Sequence, residues 1–358
     1  MTIEENRFTS KRHTTSYLSS GPPDGPLLIF VHGWPELSFS WRHQIEFFGA
    51  AGWRVIAPDM RGYGLTSGGA KNYNSDISEY RLMSLSTDIL SFLSSLEINT
   101  IDLLVGHDAG SSVAGVSAMI RPDIFRSVVM MSAPYTGAPD IKTDLFIEDP
   151  IHHNLENLPT PKKHYQWYYS TPEANNDMHL EQKELHKFLR AYYHMKSADW
   201  LDNNPYELGS WTAENLAKMP EYYIMKSNEN MVQAVMPHFP KNHDFDNWLS
   251  DEELDVYASS FFKNSFQPAL NWYRCMTSPI QNNDLKIFSN KKIEVPSCFI
   301  AGEKDWGIFQ KPGALEKMEN NLCINYCGRH ILKNAGHWVQ QENPNDVLKT
   351  LLDFYKIK

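Results

Sequence analysis

Long apolar runs are missing from this chain of 358 residues. No stretch approaches the roughly 18 consecutive apolar residues of a transmembrane helix, which argues against a helical membrane span. The N-terminal stretch MTIEENRFTSKRHTTSYL lacks the apolar centre of a secretory signal. The closing Lys356-Ile357-Lys358 is not the Ser-Lys-Leu peroxisomal address. An intracellular, cytoplasmic, soluble protein is the expectation. Basic residues are in deficit: 33 Lys and Arg face 43 Asp and Glu, a net charge of -10, and no basic cluster exceeds a pair such as Lys291-Lys292. Such a chain is poorly suited to nucleic acid or to anionic membrane surfaces. Cysteine is scarce as well. Cys275, Cys298, Cys323 and Cys327 are too few for a disulfide framework in this length. Cys323 and Cys327 have no second ligand pair at zinc spacing, so they read as ordinary thiols. Internal repeats and low-complexity tracts are absent.

What the chain does have is aromatic mass, with 10 Trp, 17 Tyr and 18 Phe. It also shows a regular alternation of short apolar runs with helical periodicity. Pro26–Val31, Trp53–Pro58, Ile101–Val105 and Phe125–Ser132 read as buried strands, each closed by turn residues. Ser40–Phe48, Ser84–Leu96 and Ser111–Arg121 carry helical spacing between them. The pattern resumes with a strand at Ser297–Ala301, a helix at Gly313–Asn320 and a closing helix at Pro344–Lys356. Alternating strands and helices with short Gly/Pro turns imply α/β architecture, with a mostly parallel, doubly wound sheet covered on both faces. From about Ala138 to Gln267 the alternation stops, and a helix-rich stretch without strand-like runs takes over. The expected organisation is therefore a core of residues 1–137 and 268–358, interrupted by an inserted helical cap of residues 138–267.

One stretch carries chemistry. In IDLLVGHDAGSSVAG (Ile101–Gly115), an aspartate sits between Gly106-His107 and Ala109-Gly110, between a strand and a helix. Strand, Gly-x-Asp-x-Gly, helix is the context of a nucleophile elbow, with Asp108 where serine stands in the familiar version. The turn lifts the central side chain above the carboxyl edge of the sheet, where open α/β folds bind ligands. A carboxylate with a reference pKa of about 3.9 is ionised at neutral pH and needs no base in order to attack. It is a poor nucleophile for amides but displaces a leaving group from saturated carbon, leaving an ester on the enzyme. A base must then activate water. His337, in Asn334-Ala335-Gly336-His337-Trp338, is the expected base, and Asp305, closing Phe299–Asp305, the acid that orients it. The order Asp108, Asp305, His337 is nucleophile, acid, base. Backbone N–H groups of Ala109 and Trp34 are the expected oxyanion donors. Trp34, Trp306 and Trp338 are candidates to line the pocket. Glu36 is expected to support the loop carrying Trp34.

These residues resemble the epoxide hydrolases of the α/β-hydrolase superfamily. The resemblance spans nearly the whole chain and is strongest in HGWPELSFSWRHQ (His32–Gln44), APDMRGYGLTS (Ala57–Ser67), GHDAG, GEKD and GHWVQQENP (Gly336–Pro344). It implies the α/β-hydrolase fold with a helical cap (lid), and opening of an epoxide to a vicinal diol through a covalent Asp108 ester cleaved by His337-activated water. It implies no metal and no organic cofactor, and a small, largely apolar epoxide as partner. It further implies two cap tyrosines that assist the departing epoxide oxygen. By position these are Tyr165, with Tyr168 or Tyr169 as its alternatives, and Tyr273. One departure stands out: the family usually has Trp directly after the nucleophile, where this chain has Ala109. That leaves space for a bulkier substrate or an altered pose. Dehalogenation through the same triad is disfavoured, because the halide donor expected beside Asp108 is lacking. An epoxide-opening cyclase, with an internal hydroxyl replacing water, stays open.

Overall fold

The computed structural model describes residues 2–144, 149–241 and 247–357. Its strands are β1 (Glu4–Thr9), β2 (Thr14–Ser20), β3 (Leu27–Val31), β4 (Arg54–Pro58), β5 (Leu103–His107), β6 (Val128–Met131), β7 (Lys162–His164), β8 (Ile224–Lys226), β9 (Ser297–Gly302) and β10 (Tyr326–Leu332). Eight of them form one sheet in the order β1-β2-β4-β3-β5-β6-β9-β10. The hairpin β1–β2 and the junction of β2 with β4 are antiparallel, and all the other pairings are parallel. The sequence-based expectation of a mostly parallel, two-faced sheet therefore holds.

Alternation along β3 shows how the core is divided. Leu27, Ile29 and Val31 point to one face, where they pack with Leu85, Ile89 and Val113 from helices Leu82–Ser95 and Ala109–Ile120. Leu28 and Phe30 point to the other, against Ile45 and Phe48 of helix Arg42–Ala50 and Leu351 and Phe354 of helix Pro344–Ile357. A strand covered on both sides has no polar face, which is why it appears in the sequence as an unbroken apolar run. Each such side chain contributes about 1.5–3 kcal/mol by leaving water.

Several elements were not anticipated. β1 and β2 (EENRFT and TTSYLSS) are polar and half exposed, and β10 (YCGRHIL) alternates between half-buried and exposed residues. All lie at or near a sheet edge, where one face meets water and no apolar run is required. The strand expected at Ile101–Val105 begins two residues later and runs through His107, because the Asp102 carboxylate accepts the Leu27 N–H and Ile101 only bridges to Phe125. The helix expected at Gly313–Asn320 is a short α-turn, Ala314–Lys317, followed by a wider turn over Met318–Leu322.

Among the described residues between β6 and β9, no strand joins the main sheet. Helices such as Tyr165–Tyr169, Gln182–Lys196 and Asp251–Asn264 fill that interval, and helix Gln267–Thr277 follows. A small antiparallel pair, β7–β8, also lies there, correcting the expectation of a stretch without strands. Residues 145–148 and 242–246 of the expected cap lie outside the described residues. Among those described, no helix is long and apolar enough to cross a membrane, and all four cysteines are free.

The turn after β5 is tight. Asp108 has φ 52° and ψ -120°, a conformation costly for any residue with a side chain. A Cβ on Gly106 would stand 2.2 Å from the Gly110 carbonyl oxygen, and one on Gly110 would stand 2.5 Å from those of Val31 and His32. Substituting either by alanine should therefore force the turn open. We expect Gly110→Ala to lose more than about 2 kcal/mol of stability in urea melts. A melt unchanged from wild type would show that the turn is looser than described here.

Candidate active site

Four loops at the carboxyl edge of the sheet bring the candidate residues together. The loop after β3 carries Trp34, the turn after β5 carries Asp108, and the segments after β9 and β10 carry Asp305 and His337. The two oxygens of Asp108 lie in different surroundings. Oδ2 accepts the backbone N–H of Trp34 at 3.0 Å. Oδ1 lies 3.7 Å from His337 Nε2, too far for a hydrogen bond. Ala109 begins the following helix, so its N–H sits beside the carboxylate at the positive end of the helix dipole. Asp108 itself retains 7% exposure in a setting otherwise closed by aromatic rings.

His337 is wholly enclosed, and its tautomer follows from its partners. Nδ1 lies 3.0 Å from Asp305 Oδ1, an oxygen that also accepts the Gly307 N–H at 2.7 Å. Nδ1 must therefore carry the proton, so Nε2, which has no protein hydrogen bond, presents a lone pair toward Asp108. Burial and the nearby Lys196 charge hold the His337 pKa below its ordinary value, although Asp305 and Asp108 act in the opposite direction. For Asp305, burial alone would raise the carboxyl, but His337, the Gly307 N–H and Lys196 outweigh it and hold it low. A neutral imidazole with a free Nε2, backed by an ionised carboxylate, can take a proton from water.

Behind this pair lies a second one. His107 Nδ1 is 2.6 Å from Glu36 Oε2, and Nε2 is 2.8 Å from the His337 carbonyl oxygen. Both partners are acceptors, so both nitrogens donate and His107 is an imidazolium. Glu36 also accepts the Gly33 N–H at 3.0 Å and Gln340 Nε2 at 2.7 Å. Its expected role in supporting the Trp34 loop is what the contacts show. The same contacts account for His107 without a metal, and among the described residues no cluster of three or more His, Cys, Asp or Glu is arranged to hold one.

The aromatic residues divide sharply. Tyr273 lies with its ring 5.7 Å from Trp34, 4.9 Å from Tyr169 and 5.9 Å from Tyr165. Tyr165 donates its hydroxyl to Gln310 Oε1 at 3.2 Å and accepts from Gln166 Nε2 at 3.1 Å. The Tyr168 hydroxyl is turned away, bonded to Asp177 at 2.8 Å. Burial, with Asp108 as a further cause, raises the pKa values of Tyr165 and Tyr273 well above the ordinary phenol range, so both remain O–H donors. Trp34 packs edge-on against Tyr273 and Phe261. Trp338 is fully buried behind His337, stacked on Tyr193 at 4.3 Å, with its N–H donated to the Tyr193 carbonyl. Trp306 is buried with its ring 5.1 Å from that of Tyr206.

Sequence reasoning did not find Lys196, Tyr192 or Tyr223, which surround this centre. Tyr192 and Lys196 are four apart on helix Gln182–Lys196 and so share a face. That spacing was the available signal, but a lysine in the last turn reads as a solvated cap.

The fold and the elbow define the class. The chain belongs to the α/β-hydrolase family: a profile described as alpha/beta hydrolase fold matches residues 26–344. Epoxide hydrolase B of Mycobacterium tuberculosis is 28% identical over 345 residues, covering 94% of each chain. Among solved structures, an epoxide hydrolase from an endophytic Streptomyces superposes with a TM-score of 0.79 at 26% identity, covering 99% of this chain and 95% of that one. Potato (Solanum tuberosum) epoxide hydrolase I gives 0.74 at 26% identity, with both chains fully covered.

The Glu36–His107 pair makes stability depend on pH in a defined way. Burial alone would raise Glu36, but His107 outweighs it and holds the carboxyl down at about 2, while Glu36 raises the His107 pKa. The depressed acid contributes stability above its ordinary value near 4.5, and this is lost as pH falls toward 2. The raised histidine contributes fully below about 6.5, and this is lost as pH climbs through its folded pKa. Glu36→Gln should therefore cost most between about pH 4.5 and 6.5, about 3 kcal/mol, with the gap to wild type narrowing on either side. Melting curves from pH 3 to 9 check this, and a gap independent of pH would contradict the pairing.

Proposed function

We propose that this chain is an epoxide hydrolase, with residues 138–267 as its cap and a small-molecule epoxide as substrate. The observation that carries the reading is the division of labour at Asp108, with Oδ2 on the Trp34 N–H and Oδ1 facing an unbonded His337 Nε2. The naming of the relatives supports it. A cytoplasmic location fits the free cysteines and the net charge of -10.

Oδ1 of Asp108 attacks a ring carbon, the C–O bond breaks, and the oxygen takes a proton from the O–H groups of Tyr273 and Tyr165. Presenting the Tyr165 hydroxyl requires it to exchange its bond to Gln310. An alkoxide leaves only with such help, so these donors act in the first step. His337 Nε2 then takes a proton from water as its oxygen adds to the Asp108 carbonyl carbon. Charge builds on Oδ2, where the N–H groups of Trp34 and Ala109 meet it. Collapse releases the diol oxygen, which takes the proton from the imidazolium whose charge Asp305 has stabilised, and the second proton of the water passes from the Asp108 carboxyl to the tyrosinate left by ring opening, restoring carboxylate and phenol. Ala109 leaves this oxyanion site intact, because the site uses backbone alone.

His337→Gln should stall the second step. Mixed with styrene oxide, the variant should gain the mass of the whole epoxide, located on Asp108 by peptide mapping. Tyr273→Phe in the wild-type background should slow ester formation by about 10²-fold or more. A haloalkane adduct lacking hydrogen halide would instead make the chain a dehalogenase. No adduct from either compound would remove Asp108 as nucleophile for simple substrates and favour a cyclase.

A further inference from the structure

Lys196 ends helix Gln182–Lys196 and is 3% exposed. Among the described residues its ammonium makes no hydrogen bond and no ion pair. Four rings surround it: Tyr223 at 5.2 Å, Trp338 at 5.3 Å, Tyr192 at 5.5 Å and Tyr222 at 6.0 Å. Ring faces attract a cation but accept none of its three N–H bonds in the way an oxygen does. The cage lies within the reacting centre. Of its rings, Trp338 lies 4.8 Å from that of His337 and Tyr223 5.1 Å from that of Tyr165, and the Lys196 carbonyl accepts the His337 backbone N–H at 2.8 Å. The Tyr223 hydroxyl is also buried and unbonded, whereas the Tyr192 hydroxyl pairs with that of Tyr169 and Tyr222 donates to Asn203.

A buried charge is retained only where something compensates it. Asp108 and Asp305 act on Lys196 through space, but neither is within ion-pairing distance. A wholly apolar substrate would leave the ammonium and the Tyr223 phenol without acceptors for their protons. We propose that Lys196, with the hydroxyl of Tyr223, forms a subsite for an anionic oxygen group, so that the preferred substrate is an epoxide carrying a carboxylate a few bonds from the ring. This rests on the epoxide hydrolase reading and replaces its largely apolar substrate with an amphiphilic one. Two carboxylate oxygens would take N–H bonds from Lys196 and the O–H bond from Tyr223 while the epoxide lies under Tyr165 and Tyr273. Asp108, Asp305 and Glu36 supply the opposing field, and His337 is neutral, so the ammonium is the attractive charge that faces the substrate from the cap.

The experiment compares kcat/KM for 4-(oxiran-2-yl)benzoate and its methyl ester, in wild type, Lys196→Met and Tyr223→Phe. Wild type should favour the acid by tenfold or more. Lys196→Met should lower the acid-to-ester ratio at least tenfold, and Tyr223→Phe, a nearly isosteric change, severalfold. A lysine acting only on His337 through space would slow both substrates alike and leave the ratio where it was, which overturns the subsite. Equal wild-type turnover of acid and ester overturns it too, with epoxide hydrolysis intact. If wild type hydrolyses neither and forms no Asp108 adduct, the functional reading itself falls.

Discussion

A fully buried carboxylate, Glu36, holds three separate loops in register. It binds the Gly33 N–H in the turn after β3, the His107 ring at the end of β5 and the Gln340 amide just beyond His337. His107, charged by that contact, then grips the His337 carbonyl. Loops move because they have few contacts of their own. Here the mobile parts of the fold are fastened to one another from beneath. The Trp34 N–H, Asp108 and His337 therefore keep their mutual distances without any of them bonding to another's reactive atom, save for the Trp34 N–H on Oδ2.

That arrangement explains why the strained turn is sustainable. Asp108 occupies an unfavourable backbone region because Gly106 and Gly110 let three chain segments close on it, and because the neighbouring loops cannot relax away. Strain at Asp108 is thus supported by packing and hydrogen bonds elsewhere, the usual condition for such a conformation to persist. Asp305 does the same for His337: it is an acceptor that fixes the tautomer, and its own second bond, to Gly307, prevents it from turning.

Above the sheet the design changes from hydrogen-bonded loops to rings. Trp34, Tyr165, Tyr169 and Tyr273 are buried together near Asp108, and burial among rings strengthens every charge interaction within. In such a medium a lysine is conspicuous. Lys196 lowers the His337 pKa and is itself lowered by burial, so the two side chains are electrostatically coupled even though no side-chain hydrogen bond joins them.

The sequence by itself determined the parallel sheet, the elbow and the identities of Asp108, Asp305 and His337. Buried strands are continuous apolar runs, and the elbow demands its glycines within five consecutive residues, so both signals are local. The polar edge strands β1, β2 and β10 left no such run. The short pair β7–β8 is only three residues a side, and the helix expected after Gly313 widened into another kind of turn. What only the tertiary structure decided was the company each residue keeps: that His107 pairs with Glu36, that Tyr168 turns to Asp177 while Tyr169 turns inward, and that Lys196 lies caged beside His337. Those pairings join residues tens to hundreds of positions apart. No periodicity records them, because they are settled by how whole elements pack.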